Sequence, residues 1–250
     1  MEPIKHPAYP QTAADWLRTP LGASLLEQET RLVQEVIEDV FGEECLQLGV
    51  WGETAQFLKL SRTQRSLLIG GPDDNTSIIA EPHRLPIESD SIDSVLLPHT
   101  LDYSKYPHAV LREVHRVLRA SGHLVIMGFR PGGLWGLRRL IPGAEIPPGA
   151  HDLLADRTLR DWMKLLDMRI HGVTRYFFRW PLQGGKGRSA QWERRGRRFW
   201  PELSACYLIA AQKRVSTLTP VRPTWKKTVK VVGGLAEPAN RSSSKIRFDP

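Results

Sequence analysis

Short apolar runs separated by more polar, helix-like stretches dominate the first half of the chain. CLQL at 45–48, SLLI at 66–69, SII at 77–79, DSVLL at 93–97 and HLVIM at 123–127 are the clearest. Such runs, bounded by turn residues, predict strands buried on both faces of a sheet. Ahead of them, Leu25, Leu26, Leu32, Val33, Val36, Ile37 and Val40 recur near helical spacing until Gly42 supplies a stop signal, which predicts one leading helix. A second stripe, Val110, Leu111, Val114, Val117 and Leu118, predicts a helix with Pro107 at its start and Gly122 just past its end. Strands alternating with helices on this scale predict an α/β fold: a doubly wound, mostly parallel sheet with helices on both faces.

Beyond HLVIMGFRP the chain enters a Gly/Pro-rich stretch, GGLWGLRRLIPGAEIPPGAHD, and then a predicted helix, DRTLRDWMKLLDM, opened by Asp156. Two more strand candidates, IHGVTRYFF and SACYLIAAQKR, are expected to pair antiparallel at a sheet edge. Three prolines in the first ten residues predict a flexible N-terminus over 1–14. The main domain is expected over 15–215, giving a seven-stranded sheet with an antiparallel last strand. From 216 to 250 the sequence is rich in Pro, Ser, Lys and Arg without periodicity, the pattern of a disordered tail.

The net charge of +8 over 250 residues changes the picture only through its placement. Residues 184–200, GGKGRSAQWERRGRRFW, carry six Lys/Arg against one Glu, and residues 216–250 carry seven against two acids. Arginines interleaved with Trp192, Phe199 and Trp200 suit phosphate binding and base stacking, so both basic segments are candidates for nucleic-acid contact. The plainer alternative is a solvated loop and a solvating tail. No apolar stretch approaches the length of a membrane span, and the N-terminus lacks a signal peptide's apolar core, so a cytoplasmic protein is expected. Cys45 and Cys206 lie in apolar strand candidates without metal-ligand spacing; two reduced core thiols and no metal site are expected.

The chemistry is carried by residues 80–131. Glu81, LPI at 85–87, SIDSVLL at 91–97, HTL at 99–101 and LREVHRVLRASGHLVI at 111–126 follow one another in order over about fifty positions. This series resembles the third-strand to fifth-strand half of class I S-adenosylmethionine-dependent methyltransferases, particularly the type 11 group. It is most similar to a little-characterised bacterial branch, on the strength of VFGEECLQLG, LLPHTL, GFRPGGLWGLRRL and CYLIAAQKR; the resemblance covers roughly residues 15–215.

The resemblance implies S-adenosyl-L-methionine as cofactor, lying across the carboxyl ends of the strands. The turn at 49–53 would underlie its methionine part, Glu81 would accept from the adenine amino group, and Leu85 or Ile87 would close over the adenine face. The backbone around Pro98 and His99 would face the methionine ammonium or sulfonium. His99 is the leading candidate for a general base, with Asp102 and Tyr103 next; the alternative is a structural histidine bonded to a loop. Methyl transfer from a sulfonium is an in-line displacement, to which a protein contributes positioning and desolvation, and a base only if the acceptor must lose a proton. The methyl acceptor implied is a small lipophilic molecule or RNA.

The first motif departs from the family pattern of an acid followed by GxGxG. Gln47 takes the acidic position, Gly49 the first glycine, Trp51 the second and Glu53 the third; a shifted alignment uses Gly49 and Gly52. A tryptophan at a close-approach position obstructs a ligand unless its side chain turns outward or caps the pocket. The ribose carboxylate after SLLI is also missing, with Asp73 or Asp74 the nearest substitutes. Two functions therefore follow from the sequence: an S-adenosylmethionine-dependent methyltransferase, or a catalytically decayed methyltransferase fold acting as a binding or scaffold protein.

Overall fold

A computed structural model describes residues 11–53, 55–72, 76–133, 135–136, 149–150, 153–178, 196, 198 and 200–214. Its contacts separate Met1–Val215 from Ser216–Pro250, and the second unit lies wholly outside the described residues. The strands are β1 (Phe41–Leu48), β2 (Arg62–Gly70), β3 (Ile78–Ile79), β4 (Ile92–Pro98), β5 (Leu118–Phe129), β6 (Met168–Tyr176) and β7 (Cys206–Lys213). They form one sheet in the order β3-β2-β1-β4-β5-β7-β6. The pairs among β1 to β5 are parallel, while β7 runs antiparallel to both β5 and β6. This is the doubly wound seven-stranded sheet the apolar runs predict.

The helices are α1 (Gln11–Leu17), α2 (Pro20–Ile37), α3 (Thr100–Tyr103), α4 (Pro107–Val117) and α5 (Asp156–Leu165). Side chains alternate across each strand, so Cys45, Leu68, Leu96, Val125 and Leu208 join the core beneath α1 and α2. Leu46, Ile69, Val95, Ile126 and Ile209 join the opposite core with Val110, Leu111, Val114 and Val117 of α4 and Leu159 and Met163 of α5. Both cysteines are buried and free.

Three expectations need correction. The leading helix is two helices, because Thr19 caps a new one: its hydroxyl accepts from the Gly22 N–H (3.2 Å) and donates to the Trp16 carbonyl (2.7 Å), with Pro20 at the first position. Gly42 does not stop a helix. It lies inside β1, where an added Cβ would come within 2.6 Å of the Asp93 side chain, which accepts from the Glu43 and Glu44 N–H groups. The LREVHRVL helix ends at Val117 rather than at Gly122, and Leu118 already pairs with Ile92 as strand. Residues 119–122 then bulge between the Ile92 and Ser94 pairings, with Ser121 at φ +64°.

Helical cover is also uneven. Among the described residues between β1 and β4 the only helical piece is a 3-10 turn, Leu58–Leu60, so β1 passes to β2 through residues 49–61 without a full crossover helix. The α4 side is conventional. Glu113 accepts the Leu85 N–H (3.1 Å), and Arg116 donates to the Leu85 and Ile87 carbonyls (3.0 and 2.8 Å). The helix that supplies the LRExxR pattern thus clamps the 85–87 loop. Lys213 closes its far end, donating to the His115 and Leu118 carbonyls at 2.8 Å each.

Candidate functional site

In an open parallel sheet, ligands bind beyond the carboxyl ends of the strands where strand order reverses. Here the reversal lies between β1 and β4. β1 ends at Leu48, and Gly49 turns the chain at φ +83°, a conformation that favours glycine. Its N–H donates to the Ile69 carbonyl (2.7 Å) and its carbonyl accepts from Gln47 Nε2 (2.9 Å). β4 ends at Pro98, and His99 takes a left-handed φ of +55° while its N–H donates to the Met127 carbonyl (3.0 Å). The Thr100 hydroxyl donates to the Leu48 carbonyl, stitching the two strand ends together.

Between them stands a buried polar cluster. Glu29 from α2, His99 and Asp102 are each 0% exposed. Glu29 Oε1 lies 2.8 Å from His99 Nε2, and Asp102 Oδ2 lies 3.1 Å from Nδ1. Glu29 also accepts from the Trp51 indole N–H (2.7 Å) and the Tyr176 hydroxyl (2.9 Å), while Asp102 accepts from the Phe129 N–H (3.0 Å). The His99 ring is stacked on Phe129 (centroids 4.0 Å apart, 30° between planes), and Trp51 packs against both, tilted on His99 (4.4 Å, 36°) and edge-on to Phe129 (5.8 Å). Burial opposes a charge on this ring, but the carboxylates on both sides outweigh it and push its pKa up to about 9. Burial likewise raises the Asp102 carboxyl, with His99 pulling it back, and raises the Tyr176 phenol.

Trp51 therefore does not turn outward. Its indole turns inward, 1% exposed, and spans from the first-strand turn to the carboxylate of α2. Gln47, Gly49, Trp51, Pro98 and His99 come together as the sequence suggests. Gly52, at φ +80°, serves packing: an added Cβ would meet Leu26 and Gln56 at 2.8 Å. Glu81 and Leu85 stand apart on the loop after β3, Glu81 paired with His83 at 3.1 Å and Leu85 buried. Asp73, Asp74 and the 216–250 tail lie outside the described residues, as does the 184–200 segment apart from Gly196, Arg198 and Trp200, of which the last two are exposed.

Glu29 and Tyr176 are missing from the sequence-derived set. The signal for Glu29 was present: it falls four residues after Leu25 and three before Leu32, inside the apolar stripe of α2. A second network, equally unannounced, lines the same edge. The buried Asp156 carboxylate holds Arg160 (2.7 Å), Arg175 (3.1 Å) and Arg130 (3.6 Å), and Arg130 and Arg175 both reach Glu202. Burial alone would raise Asp156, yet these guanidinium groups hold it below the usual carboxylate range.

Residues 36–126 match a family model described as a methyltransferase domain, of type 11. They carry β1 through most of β5, the strands whose ends build the cluster. Over that span the chain is similar to type 11 methyltransferase domains. The chain is also similar to the uncharacterized protein YafS of Escherichia coli K12, with 37% identity over 143 residues, 56% of each chain. The chain thus spans about half the length of that curated relative. Among solved structures, an S-adenosylmethionine-dependent methyltransferase from Archaeoglobus fulgidus superposes with a TM-score of 0.55 at 15% identity, over 76% of this chain and 94% of that one. The geranyl diphosphate C-methyltransferase of Streptomyces coelicolor A3(2), solved with Mg2+, geranyl diphosphate and S-adenosyl-L-homocysteine, gives 0.52 at 12% identity, over 77% and 80%. At such identities the two structures share the fold with this chain. No group of His, Cys, Asp and Glu among the described residues is arranged to hold a metal ion, and no described helix is long and apolar enough to cross a membrane.

Proposed function

We propose that the chain is an S-adenosylmethionine-dependent methyltransferase, and the observation that carries this is the type 11 domain at 36–126 with its strand ends intact around the reversal point. The described residues fit the cofactor at its two polar ends. Gln47 Oε1 is buried and has no hydrogen-bond partner among the described residues, an acceptor suited to the ammonium group of a methionine moiety. The Glu81 carboxylate, about a quarter exposed on the loop after β3, is suited to the adenine amino group, with Leu85 beside it. When bound, the cofactor supplies a methyl group activated by its sulfonium. The chain's own contribution is to hold that group in line with an acceptor and to exclude water.

His99 is the catalytic candidate of this proposal, with a condition attached. Both its ring nitrogens face carboxylates, and the ring is held protonated. While the cluster is closed, the ring has no lone pair with which to take an acceptor's proton. Base catalysis by His99 therefore requires the ring to leave Glu29. For the acceptor, the wall beside the β5 end is aromatic, with Phe129 stacked on Trp135 (5.9 Å) and Trp135 edge-on to Phe177 (5.4 Å). That composition favours a small lipophilic acceptor over RNA, whose candidate contacts fall on the basic segments.

Isothermal calorimetry of the full chain with S-adenosylmethionine, followed by methyl-transfer assays against lipophilic acceptors, tests the proposal. Saturable binding is expected. No heat and no thermal stabilisation at millimolar ligand would remove it.

A further inference from the structure

Two buried carboxylates facing one imidazolium leave an excess of negative charge inside an aromatic shell. Glu29 and Asp102 supply the charge; Phe129 stacks on the ring, Trp51 packs against it at a tilt and also contacts Phe129, and the Tyr176 hydroxyl is bonded to Glu29. Carboxylates with aromatic faces form the standard recognition chemistry for organic cations, and charge buried this deeply persists only when paired. The imidazolium is the cation that pairs it here. It sits at the end of β4, beside the turn that closes β1, and Gln47, with its unpartnered acceptor oxygen, reaches the same turn.

We infer that Glu29, Asp102, Trp51 and Phe129 form an organic-cation subsite that the protein's own His99 ring fills, and that a ligand ammonium or sulfonium takes Glu29 by displacing that ring. This rests on the methyltransferase function proposed above and gives the unusual first-strand turn a task. Trp51 stands where a glycine would otherwise give close backbone approach, but as a wall of the cation site rather than an obstruction. The exchange is charge for charge at Glu29, which faces a cation before and after it. It also converts His99 from a ring protonated on both nitrogens to one facing solvent, with a lone pair available beside the strand-four end.

Proton counting makes the exchange measurable. In the closed cluster His99 titrates near 9, whereas a solvent-exposed imidazole titrates near 6.5. Displacement at pH 7.5 therefore releases close to one proton. The other titratable groups facing the ring are Glu29 from α2, Asp102 and Tyr103 from the turn after β4, and Tyr176 from β6, with Cys206 of β7 behind Tyr176. The two phenols are held neutral by burial, so Asp102 is the group able to retain the proton internally.

Calorimetry of the full chain with S-adenosylhomocysteine, which carries the ammonium, and with adenosine, which carries no cation, decides it. Both are titrated at pH 7.5 in two buffers of different ionisation enthalpy. The wild type and Asp102→Asn, which has no second carboxyl to keep the proton, are compared with His99→Gln. S-adenosylhomocysteine is expected to release nearly one proton in at least one of the first two proteins and none in His99→Gln; adenosine releases none in any. The preference for S-adenosylhomocysteine over adenosine is expected to rise at least tenfold in His99→Gln, where no internal cation competes. An unchanged preference in a folded His99→Gln protein overturns the inference. If that variant does not fold, binding without proton release in both other proteins overturns it. Absence of heat with either ligand in every protein removes the methyltransferase proposal instead.

Discussion

The α4 clamp on residues 85–87 and the cluster at the ends of β1 and β4 belong to one sheet, yet they use polar side chains in opposite ways. In the first region, polar groups hold backbone: Glu113 and Arg116 clamp the 85–87 loop onto α4, and Lys213 ties off the helix end. These groups are partly exposed, and each bonds atoms close by in the fold's standard crossover. In the second region there is no crossover helix among the described residues, and the space beside the turn is taken by Trp51, whose indole bonds a carboxylate brought from α2. There polar side chains hold one another, out of water. The contrast teaches that retained sequence patterning and retained site chemistry are separate properties. LREVHRVL does packing and clamping, while the turn after β1 is built around a buried ionic cluster.

The largest difference between the regions should appear on removing one carboxylate from each. Glu29→Ala leaves a buried imidazolium, an indole N–H and a phenol without their acceptor. Breaking one partner of a fully buried charged cluster costs about 3–5 kcal/mol, read as a fall in urea-denaturation free energy. Glu113→Ala, in the half-exposed clamp, should cost about 1–2 kcal/mol. Equal losses at the two sites would erase the distinction.

Next in size is a pH effect confined to the buried cluster. His99 binds its proton more tightly in the folded chain than in the unfolded one. Its stabilisation is therefore whole below pH 6.5 and is lost as pH rises toward 9, at a slope of at most about 1.4 kcal/mol per pH unit. Asp102, also raised by burial, contributes a loss of the same sign with rising pH. Denaturation between pH 6.5 and 9 should show a steeper decline in the wild type than in His99→Gln, where the raised Asp102 carboxyl alone remains. An equally steep decline in His99→Gln would place its origin elsewhere.

A subtler separation comes from Arg116→Lys. The ammonium keeps the charge but cannot reach Glu113, the Leu85 carbonyl and the Ile87 carbonyl at once, as the guanidinium does. A loss of about 1 kcal/mol is expected, with no change in the pH profile just described. A changed profile would mean that the clamp and the cluster are coupled.

Most of the fold was legible because it rests on local periodicity. The five apolar runs became β1 to β5, and the two later candidates paired antiparallel as β6 and β7. What escaped depends on neighbours distant in sequence. Leu118 fits a helical stripe as well as a strand, and only its pairing with Ile92 decides for the strand. Gly42 looks like a helix stop until Asp93 is placed against it. At the site, Gln47, Gly49, Trp51 and His99 were legible through their place in the motif order. Glu29 was not, because an acid on a helix reads as solvated unless its partners, 70 and 147 residues away, are known. The inward turn of the Trp51 indole follows from Glu29 and was hidden with it.

The smallest effect is expected at Glu81, which stands outside both regions on the loop between them. Its carboxylate is about a quarter exposed and bonds only His83 among the described residues, so Glu81→Ala should leave unfolding free energy within about 0.5 kcal/mol of the wild type. If Glu81 accepts from the adenine amino group, the same change removes one partly solvated hydrogen bond from the complex. That corresponds to about 1 kcal/mol, a three- to tenfold weaker affinity for both adenosine and S-adenosylhomocysteine in calorimetry. Because adenosine lacks the cationic end, an equal loss with the two ligands would assign Glu81 to the adenine end and separate it from the Glu29 cluster. A loss seen with S-adenosylhomocysteine alone would move Glu81 to the cationic end, and affinity unchanged for both would take it out of the site.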